Sequence, residues 1–427
     1  MLKSAIEAGK PLRRRVRHTC AGWLTGEPTM HPPSTLLSLA SRIAGVLRAL
    51  LLAPLLCACT VSDKPAVAVT PQVVPTELFV APSGLDSNPG TRNAPVRTLA
   101  RAAQVVAPGT IVNVLPGTYL GGIRTTIDGR PGARIAFRSV ERWGARIVPP
   151  TVSTSEMAWD NRASHVDIEG FEVDGSGQEE GSGTLWRTGI YSAGSDDRIT
   201  GNHVHHIAMD IPCTSTGGSG IGVDSYYKGK HADVSGNSVH DVGPSGCRFV
   251  HGIYVAMPAT VRNNVVYRVA EAGIHLWHDA RDVVIANNTV AASHTGIVVG
   301  GGDFYHTTGP NDGTRVLNNI VYDNGHGISE QGKTGPNNVY RNNLVFGNPE
   351  GDWSLAPGMK HSGTVADAPR FVDYAGSSGS GTPDFRLMPG SPAIGKGQAD
   401  GAAGADFHGR SLAATGPVDI GAVQHAP

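Results

Sequence analysis

The apolar positions of this chain fall into short alternating runs that return at regular intervals. A Gly-Ile pair stands at Gly189-Ile190, Gly220-Ile221, Gly252-Ile253, Gly273-Ile274, Gly296-Ile297 and Gly327-Ile328, so successive glycines are 31, 32, 21, 23 and 31 residues apart. An asparagine recurs in phase with them, at Asn202, Asn237, Asn264, Asn288, Asn319 and Asn343. Two residues after each comes a valine: Val204, Val239, Val266, Val290, Val321 and Val345. Runs such as Ile-Tyr-Val and Ile-His-Leu alternate with period two, the period of a half-buried strand. Repeats of 21 to 35 residues on one strand pattern fit the coils of a parallel β-helix better than propeller blades, whose strands come in fours; a leucine-rich horseshoe would need dense leucines that are missing. The pattern therefore predicts an all-β, right-handed parallel β-helix, a single-stranded solenoid. Its shortest steps define the bare coil and its longer steps carry loops. With strands stacked about 4.8 Å apart, the asparagines would form an amide ladder inside the turns.

The ends depart from this rhythm. Before the first strand of the body, residues 77–150 hold an amphipathic stretch (Leu99, Ala102, Ala103, Val106) that predicts a helix capping the open first coil, as a solenoid end requires. Residues 60–76 are mostly Val, Pro, Ala and Thr without periodicity, a flexible linker. Residues 1–59 read as an export signal: Arg42 and Arg48 precede an apolar run from Ala49, too short to span a membrane, and Leu56-Cys57-Ala58-Cys59 follows. That tetrapeptide resembles a bacterial lipobox, which implies cleavage before Cys59 and a lipid anchor on its thiol. Met30 would give a signal of ordinary length, so translation is expected to start there. Coils with a groove are expected over 151–348, and the last coils and a closing segment over 349–427. The protein is thus expected to be exported, either as an outer-membrane lipoprotein or to the periplasm or medium, and to be monomeric.

Composition narrows the partners. With 427 residues, 56 glycines and a formal charge of −1, the chain lacks the basic field that attracts phosphate. No nucleic-acid partner is expected, and no membrane contact except through the anchor. Only Cys213 and Cys247 remain in the body, and two thiols in an oxidising compartment invite a disulfide.

Aligning the Gly-Ile strands gives the outward columns. One column reads Tyr191, Gly222, Tyr254, His275, Val298 and Ser329; the next reads Ala193, Asp224, Ala256, Trp277, Gly300 and Gln331. Aromatic and ionisable side chains gather at His251-Gly-Ile-Tyr254 and Glu271-Ala-Gly-Ile-His275-Leu-Trp277-His278, a set able to remove a proton, donate one and stack a sugar ring. His251, Tyr254, His275, Arg268, Glu271 and Asp224 are the candidate catalytic residues. Tyr191, Tyr226, Trp277 and His278 are the candidate substrate contacts. Asp241 and Arg268 read as a structural cross-coil ion pair, and most of the 17 histidines as surface or turn residues.

The bracket of FVAPSGLDSNPG near the start and DFRLMPGSPAIGKG, DFHGR and DIGAVQ near the end resembles secreted bacterial β-helix proteins, particularly the pectate-lyase-like polysaccharide-active group. The resemblance covers Glu77 to Gln424 and implies a polysaccharide substrate in a groove along the strand face. In that group several lyases bind Ca²⁺ through clustered acids and use Lys or Arg as base. Here the coils carry only Lys228, Lys230 and Lys333, and the adjacent acids Asp196-Asp197 sit at a turn away from the groove. Calcium is therefore only an open possibility, and no metal ligand is assigned. The reading is a lyase cleaving a uronate polymer by β-elimination, with His251 or His275 as base, Tyr254 as acid and Arg268 neutralising the carboxylate. A glycoside hydrolase using Asp224 and Glu271, a C5-epimerase, or a non-catalytic carbohydrate-binding lipoprotein are the alternatives.

Overall fold

The computed structural model describes residues 76–425 except 179, 180, 182, 400–403 and 413; the expected export signal with its lipobox at Cys59, and the expected linker 60–76 except Thr76, lie outside the described residues. Among those described, the chain winds through three parallel sheets of eleven, nine and nine strands. Each coil gives one strand to each sheet. Ala259–Arg262 lies in the first, Val265–Val269 in the second and Ala272–Leu276 in the third. The third sheet carries the Gly-Ile pairs, stacked in register from Ile190 through Ile221, Ile253, Ile274 and Ile297 to Ile328. All six isoleucines are buried in one core with the valines that follow the turn asparagines.

The structure shows why the isoleucine needs a glycine before it. A Cβ on Gly252 would lie 2.6 Å from the carbonyl oxygen of Gly273 and 2.6 Å from Val266 Cγ1, and one on Gly220 would lie 2.5 Å from Val239 Cγ1. The glycine thus points at the core valine and leaves it room, so glycine and isoleucine both face inward. Alternation is broken there, and the residue before each glycine turns outward instead of following the isoleucine into the core.

The turn between the first and second sheets is built from two adjacent positions with different tasks. The first adopts a left-handed conformation: Gly201, Gly236, Asn263, Asn287, Asn318 and Asn342 all have φ between 54° and 67°, a region that glycine and asparagine enter most easily. The second is the ladder asparagine. Asn264 Nδ2 donates to Asn288 Oδ1 and to the Val234 carbonyl, both at 2.9 Å, while Asn237 donates its backbone N–H and Nδ2 to Asn264 Oδ1, also at 2.9 Å. The same pattern joins Asn202 to Asn237, Asn288 to Asn319 and Asn319 to Asn343.

Near the N-terminal end of the sheets, helix Leu99–Val105 begins at Thr98, whose hydroxyl accepts from the Arg101 N–H, and buries Leu99, Ala102 and Ala103. At the other end, His361–Ser362 is the last strand of the first sheet. The chain then leaves the coil path and forms antiparallel pairs, Phe371–Asp373 with Asp384–Leu387 and Gly397–Gln398 with Pro417–Val418. Phe371, Phe385, Leu387, Ile420 and Val423 make a second core with Tyr267, Ala291, Ile320 and Leu344. The segment therefore covers the outer face of the second sheet's upper coils instead of extending the solenoid.

Cys213 and Cys247 are joined by a disulfide with Cα atoms 5.5 Å apart and a sequence separation of 34. Closing a loop of that length is worth about 4 kcal/mol in the chain-entropy account. Cys213→Ala with Cys247→Ala should lower the melting temperature accordingly; an unchanged melting curve would show that the bridge adds nothing.

Candidate functional site

The four third-sheet strands Thr188–Ser192, Gly218–Asp224, Val250–Ala256 and Ala272–Leu276 floor an open cavity of about 610 Å³. Tyr191, Asp224, His251, Tyr254, His275, Trp277 and His278 all line it. Tyr254 and His275 are in register on adjacent coils, with ring centroids 5.5 Å apart and nearly perpendicular. His251 reaches the same face because of the glycine after it. Its ring stacks on Tyr254 at 5.3 Å and meets His275 edge-on at 4.1 Å. His275 Nδ1 lies 3.0 and 2.9 Å from the two His251 ring nitrogens, so one imidazole donates to the other.

Burial governs the charge of this trio. It lowers His251 well below the usual imidazole value, with His275 adding to the effect. Burial, helped by His278, takes His275 from 6.5 down to about 3. Both rings are therefore neutral at neutral pH. Burial raises the Tyr254 hydroxyl, and Tyr305, Asp224 and Asp303 add to the rise, so it keeps its proton. The His275 Nε2 atom is buried with no hydrogen-bond partner.

Asp224 sits at the end of its strand, where Tyr191 donates its hydroxyl to Oδ2 at 3.1 Å and the Tyr226 N–H donates to Oδ1 at 2.8 Å. Burial outweighs these bonds and raises its carboxyl. The long loop after strand Thr295–Gly301 closes this side. Asp279 accepts from Ser225 Oγ, from the Tyr305, His306 and Thr307 N–H groups and from Thr307 Oγ1. It thereby presents Tyr305 flat against His278, with centroids 3.9 Å apart. Trp277 donates its indole N–H to Asp303 at 3.3 Å.

Three sequence candidates lie elsewhere. Arg268 stands on the second sheet, where Nε and Nη2 donate to Asp241 at 2.7 and 2.8 Å and Nη1 donates to the Gly381 carbonyl; it cannot neutralise a carboxylate in the cavity. Glu271 opens onto a separate recess of about 580 Å³ shared with Arg248, Arg268 and His294, so Asp224 and Glu271 do not face one another across a single cleft. The physical reason is common to both: they fall before the turn into the third sheet, not on its face. The Tyr226 side chain is exposed and meets the edge of Tyr305 at 5.3 Å, while its backbone N–H holds Asp224.

The cavity also holds residues the sequence pattern did not single out: Arg187, Arg248, Asp303 and Tyr305. Arg187 donates to Glu156 and to the Gly217 carbonyl, both at 3.2 Å, and Arg248 follows the disulfide cysteine. Arg187 could have been found from its place two residues before the Gly189-Ile190 pair. The other three lie on loops that do not repeat. Among the described residues, groups of three His, Asp or Glu donors close enough to share an ion occur on the second sheet and not in this cavity.

Residues 159–358 match the family described as right handed beta helix region, and residues 82–124 match a family described as protein of unknown function, DUF1565. A Bacillus subtilis (strain 168) protein, "Uncharacterized protein YwoF", is 32% identical over 136 residues, which are 30% of this chain and 29% of the relative. The match thus spans less than a third of that relative's length. Among solved structures, pectate lyase Pel9A superposes with a TM-score of 0.51 over 83% of this chain and 97% of its own, at 18% identity. That likeness is one of fold.

Proposed function

We propose that this right-handed parallel β-helix protein is a polysaccharide-active enzyme, and that it cleaves a uronate polymer by β-elimination in the His251–Tyr254–His275 cavity. The observation that carries the reading is the pairing of neutral imidazoles with a protonated phenol on one sugar-sized patch. Its likeness in fold to a pectate lyase supports the substrate class. An imidazole of the His251–His275 pair removes the proton beside the uronate carboxylate, and the orphaned His275 Nε2 is the atom positioned to gain a partner when substrate enters. The Tyr254 hydroxyl, which makes no hydrogen bond to the described residues, protonates the leaving oxygen. Arg187 and Arg248 take the role assigned from sequence to Arg268, pairing with the carboxylate, and Trp277 offers a stacking face. A bound carboxylate would raise the depressed imidazole toward working pH, since a nearby negative charge favours the protonated form.

The test is incubation with a panel of uronate polymers, followed by ultraviolet absorbance and product analysis. Unsaturated uronate at the new non-reducing end supports elimination. New reducing ends without unsaturation would replace it with hydrolysis, for which Glu156, Asp224 and Asp303 are acids lining the cavity. Exchange of the C5 proton without cleavage would replace it with epimerisation, and binding without any product with a carbohydrate-binding role.

The charge states set a pH dependence. The imidazole values are depressed in the folded protein, so the basic form is retained as pH falls below 6.5 and is lost only as pH approaches the folded value of about 3 for His275. The acid limb of kcat/KM, which reports unliganded enzyme, should accordingly lie well below 6.5. A limb centred at the ordinary imidazole value would contradict this placement of the base.

The helix Leu99–Val105 is read as the cap of the open first coil, and Cys59 as a lipid anchor of an exported protein. Cys59→Ser should move the protein from the membrane to the soluble fraction. Unchanged partitioning would remove the anchor from the account.

A further inference from the structure

The outer face of the second sheet changes character along the stack. One column runs in register from Asp174 through His205, His240, Tyr267, Ala291 and Tyr322 to Phe346. Its upper aromatic members are covered by the C-terminal segment, with Tyr267 5.4 Å from Phe385 and Tyr322 5.9 Å from Tyr374. Its lower members are a carboxylate and imidazoles, and beside them three donor atoms converge. His205 Nδ1 lies 2.7 Å from His206 Nδ1 and 3.5 Å from Asp174 Oδ1, and His206 Nδ1 lies 3.9 Å from the same oxygen.

That triangle has the size of a metal-ligand set. A zinc ion bonded at about 2.0–2.2 Å in tetrahedral geometry keeps its ligands roughly 3.3–3.5 Å apart, inside the range spanned by these three separations. The surroundings are those of a prepared site. His205 Nε2 lies 3.1 Å from Glu172 Oε1, so the ring proton sits on Nε2 and the Nδ1 lone pair faces the other donors, the carboxylate–histidine arrangement that orients metal-bound imidazoles. Arg146 engages the other Asp174 oxygen and lies 3.6 Å from Glu172, while Asp174 Oδ1 accepts the Ser176 N–H at 2.9 Å and keeps a second lone pair for an ion. The Asp174 and His205 side chains are 3% and 10% exposed, whereas that of His206 is 44% exposed, so the set is buried on two sides and open on the third. Without an ion, His206 Nδ1–H donates to His205 Nδ1; binding displaces that proton.

We propose that Asp174, His205 and His206 bind one transition-metal dication, with Zn²⁺ as the matching ion, at a site on a different sheet from the His251–Tyr254–His275 cavity. Two imidazoles and one carboxylate suit zinc and its neighbours and not Ca²⁺, which takes six to eight oxygens. A nearby trio, Glu172, His203 and His205, also has donors within reach of one another. It fits less well, because His203 Nε2 is engaged with His240 Nε2 at 2.7 Å and Glu172 as a ligand would no longer orient His205.

The experiment is a calorimetric titration of the chelator-treated full chain with Zn²⁺, repeated with Ca²⁺. One saturable Zn²⁺ per chain is expected, with no saturable Ca²⁺ heat. His205→Ala and His206→Gly should each weaken binding more than about 100-fold. Glu172→Ala, which removes only the outer partner, should weaken it about 10- to 100-fold, and His203→Ala should leave it within a few-fold. His206 has φ of 53°, which glycine accommodates, so that variant keeps the fold; an unchanged melting curve in the absence of metal confirms it. Lack of a stoichiometric zinc site in the wild-type chain would overturn the proposal. So would loss of binding in His203→Ala with His206→Gly unaffected, which would put the ion on the other trio, or Ca²⁺ binding as tight as Zn²⁺.

Discussion

Tyr254→Phe, His251→Ala and His275→Ala should each lower turnover of a uronate polymer by about 10²- to 10⁴-fold, the usual contribution of a positioned acid or base. Melting temperature should hardly change in Tyr254→Phe, because the hydroxyl makes no protein hydrogen bond whose loss would be felt. Each histidine variant removes the other ring's hydrogen-bond partner, so a stability loss of about 1–3 kcal/mol is expected there, with the protein still folded at the assay temperature. His361→Ala is the control. That residue is exposed and stacked on Trp353 at 4.1 Å, outside the cavity, and its variant should keep full activity. The assay is initial-rate turnover alongside thermal melting of the same preparations. Equal activity in all four variants would mean that the chemistry lies on another face of the solenoid.

Asn264→Ala should be strongly destabilising. The substitution leaves the Val234 carbonyl without its Asn264 donor and the Asn237 N–H and Nδ2 without their acceptor, and takes the side-chain donor from Asn288 Oδ1. A buried polar group left unpaired costs about 1–3 kcal/mol, so the loss should be at least about 3 kcal/mol in urea unfolding. Asn263→Gly, one residue earlier, provides the contrast. Its task is the left-handed turn at φ 54°, which glycine performs, and it gives up a single bond to the Ala405 carbonyl. That change should cost about 1 kcal/mol. Comparable losses at the two positions would mean that the ladder is not what holds successive coils together.

The two asparagines also show why so much of the fold can be read from the chain. Residues in a solenoid meet their own equivalents one coil away, so a requirement such as the Gly252 clearance for Val266 is imposed at every coil and surfaces as a repeat. The strands of the first sheet, such as Ala259–Arg262, carry no repeated special residue, and periodicity alone does not single them out. In the site, Tyr254 and His275 can be placed because they follow the repeated Ile253 and Ile274. Arg268 and Glu271 cannot, because their distance in sequence from the Gly-Ile pair conceals the turn between two sheets. Asp303 and Tyr305 are held by Asp279 from a loop that occurs once, and one-time loops have no register to read. The imidazole cluster on the second sheet escapes for a related reason: Asp174 precedes the first Gly-Ile coil and joins the column only through its pairing with His205.

The most direct test of the proposed chemistry is a crystal structure of Tyr254→Phe, with its fold intact and its proton donor removed, holding an uncleaved oligouronate. A sugar ring should lie over the His251–His275 pair, with C5 within reach of one imidazole nitrogen. The glycosidic oxygen should lie beside the ring edge from which the hydroxyl was removed, and the uronate carboxylate on Arg187 or Arg248. An oligosaccharide bound in the Glu271 recess or along the second sheet, with the His251–His275 pair untouched, would contradict it.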